Sequence, residues 1–164
     1  MADNVGRTDA PDMPGVPAGA SLVSLPPELA ALDRLAAFVD DACRACAAPG
    51  PVRLDAQLAL EELFVNVADH GFPDGRPRAD VWLAAWSQLA DEACELHFVM
   101  SDAGVPYDVL AHRPQRVQAR LGADNKVGGL GILLVRERMD AVSYERRDGR
   151  NVLSLVKRFA PAGR

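Results

Sequence analysis

The sequence predicts an α+β fold, a two-layer sandwich in which a mixed, mostly antiparallel sheet is covered by helices on one face. Two segments in the first half of the chain carry apolar residues at helical spacing. Short alternating runs follow at residues 80–86 and 95–101, and an Asp148-Gly149 dipeptide between two later runs is typical of a hairpin. The 164 residues are enough for one domain with its own core.

The first elements follow a tail. Residues 1–19 are rich in proline and glycine and lack an apolar period, which predicts a disordered tail that adds nothing to the core, before a domain over residues 20–160. A strand over Ser21–Leu25 precedes a helix that should end near residues 48–51. A second helix is predicted over residues 54–70. Because apolar residues occupy most of its circumference, this helix should be largely buried.

The second half of the chain begins with an antiparallel pair of strands at residues 80–86 and 95–101. Residues 109–127 then show little apolar period, and a loop of this length inside a compact domain is usually functional. We interpret it as a lid. A third helix begins near Gly131, and strands over residues 141–146 and 151–159 complete the sheet.

Composition argues against several classes of function. The 18 basic residues are outnumbered by 23 acidic ones, the net charge is -5, and the arginines do not gather into one patch, so we expect no direct nucleic-acid binding. The chain has no apolar run of about 20 residues. Its first residues also lack the basic and apolar regions of a secretory signal. We therefore expect a cytoplasmic protein that does not associate with membranes.

The three cysteines allow two interpretations. Cys43 and Cys46 have the spacing of redox or zinc motifs, with Cys94 and His97 as candidate further ligands. However, Cys94 and His97 are three positions apart in a predicted strand and should point to opposite faces. Buried structural thiols in a reducing compartment are therefore favoured.

Glu62 and Asn66 form the first chemical motif. They lie four positions apart on the second predicted helix and project from one face, followed by Asp69 and His70. A solvated polar stripe would explain the same spacing, but polar side chains on a largely buried helix need partners or a ligand. The amide oxygen of Asn66 suits magnesium bound to phosphates, and Glu62 could activate a hydroxyl or a water.

Asp102 and Gly104 form the second motif, where a predicted strand gives way to a loop. The pair could simply end the strand, since this combination is common in turns. Alternatively, the carboxylate accepts a hydrogen bond from an exocyclic amine such as that of adenine, and the glycine lets a base approach the backbone.

The third motif is Gly128-Gly129-Leu130-Gly131, directly before the third predicted helix. Unpaired amides and the positive end of the helix dipole would meet there and suit phosphate. A glycine cluster alone is a weak signal, and the chain has neither a P-loop nor a Rossmann pattern. Four cations in or beside the lid could neutralise phosphate charge or be ordinary surface residues: Arg113, Arg116, Arg120 and Lys126.

In this order, the three motifs resemble those of the GHKL (Bergerat) ATP-binding superfamily, and within it the small bacterial anti-sigma factor serine/threonine-protein kinases of the partner-switching type. The resemblance covers residues 21–159. It implies an N-box with Glu62 as general base and Asn66 as magnesium ligand. It also implies a G1 box at Asp102 and Gly104 that binds adenine and is extended by Pro106-Tyr107-Asp108.

The same resemblance implies a G2 box followed by a helix, with residues 109–127 as the ATP lid. The nucleotide contacts implied for this part of the chain are Gly128, Gly129, Leu130, Gly131, Lys126 and Arg116. The lid matches the family least well, so the residue that contacts the γ-phosphate stays open among Arg113, Arg116 and Arg120.

In that family, ATP and Mg²⁺ serve to phosphorylate a serine or threonine of a STAS-domain anti-sigma factor antagonist, and the kinase, usually a homodimer, also holds a sigma factor inactive. Sensor histidine kinases share the fold but carry a phosphoacceptor histidine upstream, and here no histidine precedes His70. The rival expectation is an ATP-binding regulator that sequesters a sigma factor or another partner without phosphotransfer.

Overall fold

The computed structural model describes residues 10–77, 79–111 and 130–161. The strands are β1 (Ser21–Leu25), β2 (Val81–Ala90), β3 (Ala93–Asp102), β4 (Ala141–Arg147) and β5 (Arg150–Phe159). The helices are α1 (Leu32–Ala45), α2 (Gly50–His70) and α3 (Leu130–Arg138), and a 3₁₀ turn at Leu29–Ala31 leads into α1. No helix in these ranges has the length and apolar character needed to cross a membrane.

The strands form one sheet in the order β1-β2-β3-β5-β4. We expected a mostly antiparallel sheet, and every pairing among the described strands is antiparallel. β5 inserts between β3 and β4, so the last residue of β3, Asp102, lies directly opposite Asn151 near the start of β5. The topology therefore brings together two residues that are distant in sequence.

The main core lies between the helices and one face of the sheet, which confirms the predicted α+β sandwich. Leu35 of α1, Leu60 and Phe64 of α2, and Phe98 and Leu155 of the sheet are each 0% exposed. Burying a side chain of this size contributes about 1.5–3 kcal/mol. This packing fixes α2 against the central strands and leaves its other side free for polar residues.

The opposite face of the sheet is partly covered by the segment before β1. Met13 is 7% exposed and packs with Trp82 and Val99 in a second apolar cluster. Residues 10–19 were expected to add nothing to the core, so this contact differs from the prediction. A single methionine gives no periodic signal, yet it is enough to hold a proline-rich segment on an apolar surface. Residues 1–9 lie outside the described residues.

α2 begins earlier than the sequence suggests. Its first residue is Gly50, and Pro51 lies in the first turn. Proline at that position has a favourable φ and lacks only an N–H that has no partner within the helix. The Pro-Gly-Pro segment therefore starts a helix, whereas we had predicted that it only ended the previous one.

The two hairpin turns have the same backbone shape but different sequences. The predicted turn at Asp148-Gly149 is confirmed, with φ of 48° and 78°. β2 and β3 extend further than predicted and meet at Asp91 and Glu92, whose φ values are 47° and 70°. Two-residue hairpin loops favour positive φ at both positions. Asp-Glu lacks the usual glycine or asparagine signal, so this turn could not be recognised from the sequence.

Candidate functional site

The C-terminal half of α2 carries Glu62 and Asn66. The buried residues Leu63 and Phe64 fix this part of the helix in the core. Asn66 is half-buried, whereas Glu62, one turn earlier on the same side, is exposed. The Asn66 side chain is therefore more enclosed than that of Glu62.

Asp102 ends β3 and is 2% exposed. Its Oδ1 accepts hydrogen bonds from the backbone N–H of Gly104 at 2.8 Å and from Nδ2 of Asn151 at 2.9 Å. No hydrogen bond from the described part of the chain ends on its Oδ2. Burial raises the pKa of Asp102, although the hydrogen bonds from Asn151 and Gly104 oppose this shift. The carboxylate therefore keeps an acceptor oxygen for a ligand.

Gly104 allows the loop after β3 to lie against the end of α2. A Cβ at this position would lie 2.7 Å from the carbonyl oxygen of Gly71 and 2.8 Å from Oδ1 of Asp102. Beside it, the N–H of Val105 donates to the same Gly71 carbonyl at 2.9 Å. The sequence suggested that this glycine makes room for a base. The structure shows that it also makes room for the backbone of Gly71, directly after α2, and the approach of a base stays a prediction.

One pocket collects side chains from α2, the end of β3, the loop that follows and β5. It encloses about 440 Å³ of empty space, counting its open mouth. Its apolar wall includes Leu63 and Leu153, and its polar residues are Asn66, His70, Asp102, Tyr107 and Asn151. An apolar cleft with a few convergent polar groups is typical of small-molecule sites. Asn66 of the first motif and Asp102 of the second therefore line one cavity.

Asn151 is a polar pocket residue that sequence reasoning missed. It is 4% exposed and donates hydrogen bonds to Asp102 and to the carbonyl oxygen of Val105. The sequence indicated only that it begins the last strand. Asparagine is depleted in strands, so an asparagine directly before an apolar strand segment was the one signal that could have marked it.

The third motif meets the first through Gly131. This residue is the second of α3, and a Cβ built on it would collide with Oε2 of Glu62. The Glu62 carboxylate thus lies against the backbone at the start of α3, whose first residue is Leu130. The other predicted contacts of the lid and glycine loop lie outside the described residues: Gly128, Gly129, Lys126, Arg116, Arg113 and Arg120.

An ion network holds α3 in this position. Asp55 of α2 contacts Arg138 of α3 and Lys157 of β5, each at 2.9 Å. Burial raises the pKa of Asp55, but the hydrogen bonds from Lys157 and Arg138 outweigh it, so the pKa is lowered. The network ties both helices to the sheet and thereby supports the contact between Glu62 and Gly131.

The cysteines lie away from the pocket. Cys94 belongs to the main core, whereas His97 stacks on Trp86 with ring centroids 4.8 Å apart on the opposite sheet face, as predicted. All three thiols are free, and burial raises the pKa of Cys43 to about 11. In the described ranges, no group of three or more His, Cys, Asp or Glu side chains could hold a metal ion.

Comparison with known protein families assigns the domain. Residues 25–157, which include the pocket and Gly131, match the family model described as the histidine kinase-like ATPase domain. The chain belongs to this family. Membership confirms the resemblance to the GHKL superfamily and the predicted type of fold, and ATP binding follows from membership of an ATPase family.

A protein kinase is similar to this chain over much of its length. Serine/threonine-protein kinase BtrW of Bordetella bronchiseptica is 34% identical over 110 residues, which cover 67% of this chain and 73% of the relative. The similarity therefore extends to a protein kinase as well as to an ATPase domain, in agreement with the kinase type that the motifs resemble.

Proposed function

We propose that the protein is an ATP-dependent serine/threonine kinase that phosphorylates a STAS-domain anti-sigma factor antagonist and sequesters a sigma factor. One observation carries this proposal. Asn66 of α2 and Asp102 of β3 line the same pocket, and Glu62 lies one turn from Asn66 against the start of α3. These positions suit a base, a polyphosphate and a reacting hydroxyl in that order along one cleft.

Adenine occupies the buried end of the cleft. The open Oδ2 of Asp102 accepts a hydrogen bond from the exocyclic amino group, and a hydrogen bond to a charged acceptor is worth about 1.5–3 kcal/mol. Leu63 and Leu153 lie on the pocket wall and contact the flat apolar ring. Tyr107, from the loop after β3, lines the same pocket.

The triphosphate extends past Asn66 toward α3. Mg²⁺ binds one or two protein oxygens together with phosphates and waters, and the half-buried amide of Asn66 fits such a set. Bound Mg²⁺ would neutralise phosphate charge. α3 begins at Leu130, and amides at a helix N-terminus suit phosphate. The sequence predicts further phosphate contacts from Gly128 and Gly129.

Glu62 acts as the general base. Its side chain is exposed, so a hydroxyl carried by another protein can reach it from solvent. As the serine or threonine oxygen attacks the γ-phosphorus, Glu62 accepts the hydroxyl proton and the bond to the bridging oxygen breaks, which releases ADP. Positioning and charge neutralisation supply most of the catalysis.

The protein partners follow from the same family resemblance. An exposed base at the mouth of the cleft suits a protein substrate better than an internal acceptor. We propose a STAS-domain antagonist as that substrate, a sigma factor as the sequestered partner, and a homodimer as the assembly.

The test is a transfer assay. The protein is incubated with Mg-ATP and the STAS-domain protein encoded nearby, and phosphate on that partner is measured by intact mass. Glu62→Gln should lower the transfer rate by roughly 10²- to 10⁴-fold while leaving ATP affinity unchanged by calorimetry. Glu61→Gln is the matched control, because Glu61 is the neighbouring carboxylate and pairs with Gln57 at 3.0 Å. That variant should keep the wild-type rate.

Two results would contradict the kinase. Tight ATP binding without transfer to any STAS-domain partner would favour the rival, a nucleotide-binding regulator that only sequesters its partner. Failure to bind ADP or ATP at millimolar concentration with Mg²⁺ present would contradict both the kinase and the nucleotide-binding regulator.

A further inference from the structure

Three polar side chains lie in register across neighbouring strands beside the pocket. Asp102 of β3 lies opposite Asn151 of β5, and Asn151 lies opposite Arg146 of β4. We call this set the Asp102 row. Asn151 occupies its centre, between the acid and the arginine.

The hydrogen bonds fix the orientation of the Asn151 amide. Its Oδ1 accepts from the hydroxyl of Tyr144 and from Nη1 of Arg146, each at 2.9 Å, and from the N–H of Tyr107 at 3.3 Å. Its Nδ2 donates to Oδ1 of Asp102 at 2.9 Å and to the carbonyl oxygen of Val105 at 3.0 Å. In a flipped amide, Nδ2 would face the donors Tyr144, Arg146 and Tyr107, and Oδ1 would face the acceptor oxygens of Asp102 and Val105. Only one orientation therefore satisfies the network.

This orientation keeps Arg146 away from Asp102. Arg146 donates to Asn151 and to the carbonyl oxygen of Gly104, each at 2.9 Å. Among the described residues, no ion pair joins Arg146 to Asp102. A direct arginine–carboxylate pair is often bidentate and would occupy both oxygens of the acid. The amide between them prevents this.

We propose that Asn151 is a positioning residue for base recognition. Its amide separates Arg146 from Asp102 and holds one carboxylate oxygen, so that the other oxygen stays open to an amino group on the base. The inference rests on the proposed function, because it assumes that ATP occupies the pocket.

Several ionisable groups face this row. β4 supplies Arg146 and Tyr144, β5 supplies Arg150, α2 supplies His70 from the pocket wall, and the loop after β3 supplies Tyr107. Each is also present in the wild type, so wild-type measurements at the same pH values correct for their contribution.

Asn151→Asp tests the proposal through its pH dependence. The new carboxyl would face both Oδ1 of Asp102 and the Val105 carbonyl, so it needs a proton to replace the lost N–H, and two close carboxyls share one proton at lower pH. We expect affinity for Mg-ATP, measured by calorimetry, to fall at least 10-fold at about pH 8.5 and to recover at about pH 5.5. The preference for ATP over ITP, which lacks the amino group, should likewise fall at about pH 8.5 and recover at about pH 5.5.

Gln88→Glu is the matched control. Gln88 also donates an amide hydrogen bond to a carboxylate, Oε2 of Glu95 at 3.0 Å, but on the opposite sheet face. This variant adds the same charge beside an acid without touching the pocket, so its ATP affinity should follow the wild type at every pH. Asn151→Asp that keeps wild-type affinity and base preference over the whole pH range would overturn the proposal.

If Asn151→Asp does not fold, a second pair of variants tests whether Asn151 separates Arg146 from Asp102. Asn151→Ala removes the spacer and lets Arg146 reach Asp102, so ATP affinity should fall, and adding Arg146→Gln should restore part of it. A double variant that binds no better than Asn151→Ala would contradict the spacer role. Wild type that binds no ATP would instead contradict the proposed function itself.

Discussion

β3 carries two buried acids, and each lies in a polar row built from an acid, an amide and an arginine. The two rows lie on opposite faces of the sheet and place these residues in a different order. In the first, Glu95 stands in the middle, between Gln88 of β2 and Arg158 of β5. In the Asp102 row, the amide of Asn151 stands in the middle and the acid is at the end. The pKa of Glu95 is lowered to about 2, whereas that of Asp102 is raised.

The order of the residues explains the opposite shifts. Both oxygens of Glu95 are used: Oε2 accepts from Gln88 at 3.0 Å, and Oε1 accepts from Arg158 at 2.7 Å. These two hydrogen bonds stabilise the charged form and are the main causes of its low pKa. Within residues 10–77, 79–111 and 130–161, hydrogen bonds to the Asp102 side chain end on one oxygen only, and burial dominates its pKa. A buried acid with one oxygen left open is suited to a ligand, whereas Glu95 is suited to holding strands together.

Among substitutions in the two rows, Asp102→Asn should give the largest effect on ATP affinity and should separate binding from stability. Asparagine can still accept the hydrogen bonds from Gly104 and Asn151, but it presents an N–H where the base amino group needs an acceptor. We expect calorimetry to show ATP affinity reduced roughly 10- to 150-fold, which corresponds to the loss of about 1.5–3 kcal/mol.

The same variant should not lower thermal stability. The pKa of Asp102 is higher in the folded protein than in the unfolded chain, so ionisation of this acid destabilises the fold as pH rises above the unfolded pKa. A neutral asparagine does not ionise and avoids this loss of stability. The melting temperature of Asp102→Asn should therefore equal or exceed that of the wild type at neutral pH. Unchanged ATP affinity together with a large drop in melting temperature would assign Asp102 a purely structural role.

Gly131→Ala should have a smaller effect at the other end of the cleft, where the Glu62 carboxylate lies against the backbone of Gly131. The new methyl would collide with Oε2 of Glu62 and move the proposed base. We expect the transfer rate to fall about 10-fold with ATP affinity nearly unchanged, because small displacements of a reacting group are costly.

Gly50→Ala is the control for this substitution. Gly50 starts α2, and a Cβ there meets no atom within 4 Å. Alanine has a higher helix propensity than glycine, by up to about 1 kcal/mol. Neither variant should therefore destabilise the helix in which it lies. Gly131→Ala that retains the full transfer rate would show that the Glu62 contact does not matter for catalysis.

The parts of the fold and candidate site that could be predicted from the sequence are those encoded by local patterns. The four-residue spacing of Glu62 and Asn66 placed them on one side of a helix, and Asp102 at a change from strand to loop was recognised as a candidate acceptor. The apolar periods and the Asp148-Gly149 turn predicted the order of helices and strands. Each of these signals depends on neighbours in sequence.

The remaining features depend on strand register and on close approach of distant backbone. Asn151 became part of the site only because β5 pairs with β3 in the register that sets it opposite Asp102, and the sequence does not encode that pairing locally. Gly104 is needed because α2 ends against it, and Met13 is buried because a sheet face was left open. Nothing near these residues in the sequence indicates the contact.

Glu95→Gln should give the smallest effect and should affect only stability. Since the folded pKa of Glu95 is lowered to about 2, its charged form stabilises the fold above its ordinary pKa of 4.5, and this contribution is lost as pH falls toward 2. Glutamine at this position should lower the melting temperature at pH 7, and the difference from wild type should shrink as the pH is taken below about 4. ATP affinity should not change, because Glu95 lies on the face opposite the pocket. A difference in melting temperature that stays constant down to about pH 2 would show that Glu95 does not stabilise the fold through its charge. The contrast between Glu95 and Asp102 would then reflect only which acid faces the pocket.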